Sequence, residues 1–306
     1  MADQTNEVPR QRRLPRDIGV PTIAWDEWQL ERALERAAAY AELVEIYSDG
    51  MHSLLSSGNR AAARRSGLRF TVHGPYDGLE IGSRKERHRW AAVQTHRRHL
   101  EASAEIGATR YVVHPDFAAK VYKPAAASSC RYERGWGRDE RVVAALQTSF
   151  AELEDLQRET GVRVVIENMP APGHSHLHGR EDLTCGRPGH LDDQALDLGE
   201  LGFVLDAGHA AICGTLHGFL ADPPPGFAHV HLHDNKGSEE AGDPHLALGQ
   251  GVVDVRAVLG AARRAGATVI LELGDESRLR QSIAYLDLEG MLDDGPARHD
   301  DRRGVE

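Results

Sequence analysis

The chain has 306 residues, 41% of them hydrophobic and 27% charged, with a formal net charge of −11. That is globular composition, long enough for one large core or two smaller ones. No run of about 18 apolar residues offers a transmembrane helix, Cys130, Cys185 and Cys213 lack the number and spacing of a disulfide framework, and the acidic balance shows no bulk nucleic-acid face, although a local patch can still bind DNA.

Residues 1–17 have no apolar core of a signal peptide and read as a disordered arm, which makes the cytoplasm the default location. Residues 18–24 (IGVPTIA) read as the first strand, and Asp26 with Gln29 as a capping-box start for a helix to about Tyr40. Residues 41–46 (AELVEI) predict the second strand, 51–66 a helix, and 68–73 (LRFTVH) the third strand. Ser83 caps a helix through Gly107, and 109–114 (TRYVVH) form the fourth strand. An irregular insertion at 120–138 precedes a helix over 139–160, which Gly161 ends. Residues 162–167 (VRVVIE) give the fifth strand, followed by a long loop over 168–193 that carries His174, His176, His178, Cys185 and His190. Residues 202–206 (GFVLD) are the sixth strand, with AGHAAI helical behind it.

The stretch 229–254 organises the rest. His229, Val230, His231, Leu232 and His233 alternate with period two, as a seventh strand should. A Gly- and acid-rich loop then returns Asp243 and His245, and a GQG turn leads into helically spaced Val255, Val258, Leu259 and Ala262. His229, deepest in the strand, reads as a hydrogen-bonded interior histidine; of His231 and His233, only one need be a metal ligand. Residues 268–272 (TVILE) are the eighth strand, 276–288 the last helix, and 291–306 a loose tail. Apolar strands alternating with helices over residues 18–290 predict a single α/β domain, a closed (β/α)8 TIM barrel. A doubly wound open sheet is the runner-up, but no GxGxxG follows the first strand.

Each strand from the third to the eighth ends in a ligand-type residue: His73, His114, Glu167, Asp206, His231 and Glu272. His209 follows Asp206 by three residues and shares its rim. Any one of these could be a helix cap or a satisfied interior histidine, but that explanation must recur on six strands. Converging carboxylates and imidazoles at the catalytic end of a barrel need cations to order them. The mixed N/O set suits Zn²⁺ first, with Mn²⁺ or Fe²⁺ as alternatives, and Glu167 could bridge two ions.

The pattern resembles the xylose isomerase-like TIM barrels, a superfamily with endonuclease IV and many sugar and sugar-phosphate isomerases and epimerases. The carriers are VHGPY at His73, VHP at His114, VIEN at Glu167, LDAGH at Asp206 and His209, HLHDNK at His231, DPHLALGQG at Asp243 and His245, and LEL at Glu272. The resemblance to endonuclease IV implies three ions: one on His73, His114 and Glu167, a second on Glu167, Asp206, His231 and Glu272, a third on His209, Asp243 and His245. The isomerase branch implies one ion on the second set, with Glu167 and Glu272 moving protons as acid and base. Tyr76 matches a DNA-prying tyrosine, but Asp77 follows it, and NMPAPGH and ELG depart from the endonuclease IV loops. These departures disfavour a nucleic-acid partner. The sequence therefore favours a metal-dependent isomerase or epimerase of a small sugar, sugar phosphate or polyol. A zinc phosphoesterase of the endonuclease IV type, on abasic DNA or a small phosphorylated substrate, is the alternative, and a non-catalytic metal-binding scaffold comes last. His233, Lys236, Tyr76 and Trp25 are the candidate substrate contacts, with no membrane partner expected.

Overall fold

The computed structural model describes residues 12–115, 140–169, 197–237 and 242–292. Eight parallel strands close into a barrel in chain order, β8 pairing with β1. They are β1 (Ile18–Pro21), β2 (Leu43–Tyr47), β3 (Arg69–His73), β4 (Arg110–Val113), β5 (Arg163–Glu167), β6 (Gly202–Asp206), β7 (Phe227–His231) and β8 (Thr268–Ile270). Around it run α1 (Leu30–Ala37), α2 (Ser57–Ser66), α3 (Glu86–Glu105), α4 (Glu140–Thr160), α5 (Ala207–Ile212), α6 (Leu216–Ala221), α7 (Val255–Ala265) and α8 (Glu276–Leu288). This is the expected (β/α)8 barrel. The insertion at 120–138, most of the His-bearing loop, the tail from 293 and the first eleven residues lie outside the described residues. Among the described residues, no helix is long and apolar enough to cross a membrane.

Strand alternation decides which side chains reach the site. Val112, Val165, Val204 and Ala228 form a small cluster inside the barrel, while Tyr111, Val113, Val164, Ile166, Phe203 and Leu205 join the large core under the helices. Both faces are covered, so the strands read as apolar runs. Two residues past Val112, Val165 and Val204 on the same inward phase stand His114, Glu167 and Asp206, at the C-terminal rim. In β7 the phase is set by a register shift: Phe203 pairs with Phe227 but Val204 with His229. The extra residue, Ala228, turns His229 and His231 inward, as bulges near active sites do.

Several predicted boundaries move. The first strand stops at Pro21, because Thr22 turns into a 3-10 segment (Thr22–Trp25) and its Oγ1 accepts the Tyr47 N–H at 3.0 Å. The Asp26–Gln29 capping box is not formed; Gln29 caps α1 with no side-chain bond. The second helix begins at Ser57 under a Ser56 cap rather than at Met51. Ser83 caps nothing: its hydroxyl donates to Glu80 at 3.0 Å, and α3 starts at Glu86. β7 runs from Phe227 to His231, so His233 lies beyond the strand. Gly161 does end its helix, with φ 72° and its N–H on the Gln157 carbonyl at 2.9 Å.

Candidate metal centre

A pocket of about 340 Å³ opens at the barrel rim, lined by Ile23, Tyr47, His73, Tyr76, His114, Glu167, Met169, His209, Asp243, Pro244, His245, Glu272, Gly274 and Arg278. The predicted ligands form three groups around it. His73 Nε2 and His114 Nε2 face each other at 3.1 Å, and lie 3.6 and 3.2 Å from Glu167 Oε2. Glu167 Oε1 looks the other way, 3.4 Å from His231 Nδ1, which is also 3.4 Å from Glu272 Oε2. Donor atoms of Glu167, Asp206, His231 and Glu272 all lie within 4.8 Å of one another. Asp243 Oδ2 is 3.0 Å from both His209 Nε2 and His245 Nε2.

The outer nitrogens fix which lone pairs point inward. Main-chain carbonyls only accept, so the Nδ1–H groups of His73, His209 and His245 donate to the carbonyls of Gly74, Asn168 and Glu272 at 2.8, 2.9 and 2.9 Å. Their Nε2 lone pairs then face other acceptors, an arrangement that repels unless a cation or proton lies between. His231 turns its Nε2 toward Glu45 Oε1 at 3.0 Å and offers Nδ1 to the pocket. Metal-binding histidines are oriented in this way by outer carboxylates and carbonyls. His229 Nε2 meets Glu45 Oε2 at 2.9 Å and its Nδ1 meets Thr268 at 2.6 Å, the interior role expected for it.

Both Glu167 oxygens, Asp206 Oδ2, His231 Nδ1 and Glu272 Oε2 are buried without a hydrogen-bond partner. Buried ionised groups left like this are costly unless something positive joins them. The donor set therefore fits divalent cations, and its N/O chemistry fits Zn²⁺, Mn²⁺ or Fe²⁺. Burial drives the Glu167 carboxyl up, but the charges of His231 and His114 prevail and hold it well below the usual range. Asp206 is likewise held low by His209 and His233 against burial. Glu272 goes the other way: burial raises it, and His231 and His245 offset that only in part. Burial lowers His245, but its bond to Asp243 and the charges of Glu272, Asp243 and Asp206 together outweigh this and lift it to about 9. The negative surplus that draws protons to these imidazoles would equally hold cations on their neutral forms.

The loop carrying Asp243 and His245 is pinned by Asp234. Its carboxylate accepts N–H bonds from Asn235, Gly249, Gly251 and Val253 at 2.9, 2.9, 2.7 and 3.1 Å, and its main chain bridges to Leu246. His245 is the one non-glycine residue with positive φ (45°) among the described residues. Such strain gathers at functional sites.

The four expected substrate contacts divide. Tyr76 lines the pocket and stacks on His114 at 4.8 Å. Trp25 does not: it is 4% exposed, stacks on Tyr40, and its Nε1–H donates to Glu276 at 2.8 Å, a packing role. Lys236 is also off the pocket, its ammonium bound to the Gln250 carbonyl at 2.5 Å. His233 is fully buried behind the pocket wall. Sequence reasoning assigned no role to Glu45, Tyr47, Asn168, Asp234 or Arg278. Glu45 had a signal, a carboxylate at an inward position of an apolar strand. Asn168, whose side chain brackets the Asp206 backbone at 2.8 and 3.0 Å, had none.

A profile of the xylose isomerase-like TIM barrel family matches residues 21–289. The chain is 28% identical over 263 residues to the uncharacterized protein MJ1614 of Methanocaldococcus jannaschii, covering 85% of this chain and 93% of that one. It is also 28% identical over 254 residues to a probable endonuclease 4 of Mycobacterium leprae, covering 80% and 90%. A D-tagatose 3-epimerase-like protein of known structure superposes with a TM-score of 0.72 at 23% identity, over 90% of this chain and 98% of that one, a likeness of fold.

Proposed function

The chain belongs to the xylose isomerase-like TIM barrel family, and from that premise we propose that it is a multinuclear, divalent-metal-dependent hydrolase of small phosphoesters. One observation carries the reading: the two oxygens of Glu167 face different histidines, Oε2 toward His73 and His114, Oε1 toward His231. A carboxylate so placed suits a bridge between two ions, and a one-ion isomerase has no use for the His73–His114 side. Cations held there would stabilise the charge on a phosphoryl group in transfer. Arg278, tied through Nη1 to the carbonyls of Pro244 and His245 at 2.8 and 3.1 Å, brings positive charge to the pocket wall for an anionic substrate. Ile23 and Met169 add apolar surface to the wall of a pocket whose volume, about 340 Å³, suits a small molecule.

A metal-dependent sugar isomerase or epimerase is the second reading, and a different observation favours it. Glu167 and Glu272 flank His231 Nδ1 with proton affinities pushed in opposite directions, the pattern of a donor and an acceptor. One experiment separates the two. The Zn²⁺- and Mn²⁺-loaded protein is assayed on p-nitrophenyl phosphate, bis(p-nitrophenyl) phosphate and an abasic DNA duplex, and in parallel on ketoses in D2O followed by NMR. Phosphoester turnover that Glu167→Gln abolishes is the expected result. Deuterium entering a ketose with no phosphoester turnover would overturn the proposal for the second reading, and turnover of the duplex alone would overturn the small substrate.

A further inference from the structure

We infer that His233 is a fourth side-chain ligand at the Asp243 site, closing an ion site that would otherwise rest on His209, Asp243 and His245. The inference rests on the cation-binding reading of the pocket. His233 Nε2 is buried with no hydrogen-bond partner. Its donor atom lies within 4.8 Å of those of His209, Asp243 and His245. The ring lies flat on His245, centroids 3.8 Å apart and planes 1° from parallel, so the two imidazoles are neighbours and one must tilt for both in-plane lone pairs to meet a single ion. Nε2 lies 3.2 Å from Asp206 Oδ1 and 3.8 Å from Asp243 Oδ1. Nδ1 meets the Asp234 carbonyl at 3.2 Å, a contact only an N–H can satisfy. In the neutral ring Nε2 then carries the lone pair, and it faces the carboxylates of Asp206 and Asp243.

The fold also reserves room for this ring. A Cβ added to Gly208 would overlap the His233 imidazole. Gly208 stands between Asp206, which caps α5, and His209, which faces Asp243, so the side-chain-free position opens toward the cluster. Three imidazoles and a carboxylate would give such an ion four protein ligands, and a site so furnished is closed. An ion at Asp243 would then hold the 242–253 loop to the barrel rather than take a substrate oxygen. Chemistry is left to the Glu167 side of the pocket.

Zn²⁺ titrations of the full chain against a chromophoric chelator test this on the wild type, His233→Asn, Gly208→Ala and His245→Ala, each checked for fold by circular dichroism. Losing a ligand should weaken one ion by at least about 100-fold and leave the others unchanged. His233→Asn and His245→Ala should lose the same ion, and Gly208→Ala, which displaces the ring without removing it, should weaken that ion too. If His233→Asn fails to fold, Gly208→Ala alone decides. Wild-type affinity for every ion in His233→Asn, with one ion lost in His245→Ala, would overturn the inference and leave His233 as a hydrogen-bond donor to Asp206. No loss in His245→Ala either would remove the Asp243 ion altogether. A His73→Ala titration in the same series shows whether the rest of the metal centre survives that result.

Discussion

Glu45→Gln tests whether a residue that touches no substrate sets the metal affinity of the centre. Glu45 is fully buried beneath the pocket, 3.0 Å from His231 Nε2, 2.9 Å from His229 Nε2 and 2.9 Å from the Thr71 hydroxyl. Burial pushes its carboxyl up, but the charge of His231 and the bonds from His229 and His231 bring it well below the usual range, so it is ionised at neutral pH. As an anion it holds the His231 proton on Nε2 and leaves Nδ1 free for the pocket. A glutamine is isosteric but neutral, and it can accept only through one oxygen. Outer partners of metal-bound histidines are worth about 10–100-fold in affinity, or about 1.4–2.7 kcal/mol. We expect Zn²⁺ at the Glu167–Asp206–His231–Glu272 group to weaken by that factor in Glu45→Gln. The ion on the His73–His114 side should be unaffected except through their shared Glu167. Chelator competition reads the affinity, and thermal melting with and without Zn²⁺ confirms that the variant is folded. Unchanged affinity in a folded variant would refute the argument, because it would mean that His231 keeps its orientation without the carboxylate.

Asp234→Asn should loosen the loop that brings in Asp243 and His245, since an amide cannot keep all four N–H bonds. We expect a loss of about 2–3 kcal/mol, read from urea midpoints of chelator-treated protein, and one zinc ion fewer by elemental analysis. The buried His96, which is not itself a candidate ligand, gives a pH signature of its own burial. Burial, with help from nearby histidine charges, lowers it to about 3, and its Nδ1 bonds Tyr111 at 3.0 Å. The unfolded chain takes up this proton below its ordinary value and the folded chain does not, so stability falls as pH drops below about 6.5. By pH 5 the loss is about 2 kcal/mol from this residue. His96→Gln in chelator-treated protein should show a shallower fall between pH 7 and 5; an identical slope would count against a neutral buried His96.

The barrel was legible because its strands are covered on both faces. Runs such as Val164–Ile166 and Phe203–Leu205 are apolar at every position. Helix starts were not legible where a neighbouring side chain took the capping group, as at Ser83, whose hydroxyl is committed to Glu80 three residues earlier. At the site, the inward phase of β4, β5 and β6 carries His114, Glu167 and Asp206 to one rim, and that follows from period two alone. The role of His233 could not follow in the same way. It sits two residues past the end of β7, and its environment comes from Gly208 on α5 and His245 in a distant loop. Trp25 misled for the opposite reason: its place after the first strand resembles a pocket wall, but the turn at Thr22–Trp25 swings the indole under α8 to Glu276.

The central claim is that several ions share the pocket through Glu167, and metal content tests it most directly. Elemental analysis would be run on protein purified without chelator, beside His73→Ala. The account predicts about three divalent ions per chain in the wild type and one fewer in His73→Ala. About one ion in both would contradict it, leaving Glu167, Asp206, His231 and Glu272 as a single-ion site and sugar isomerisation as the activity to assay.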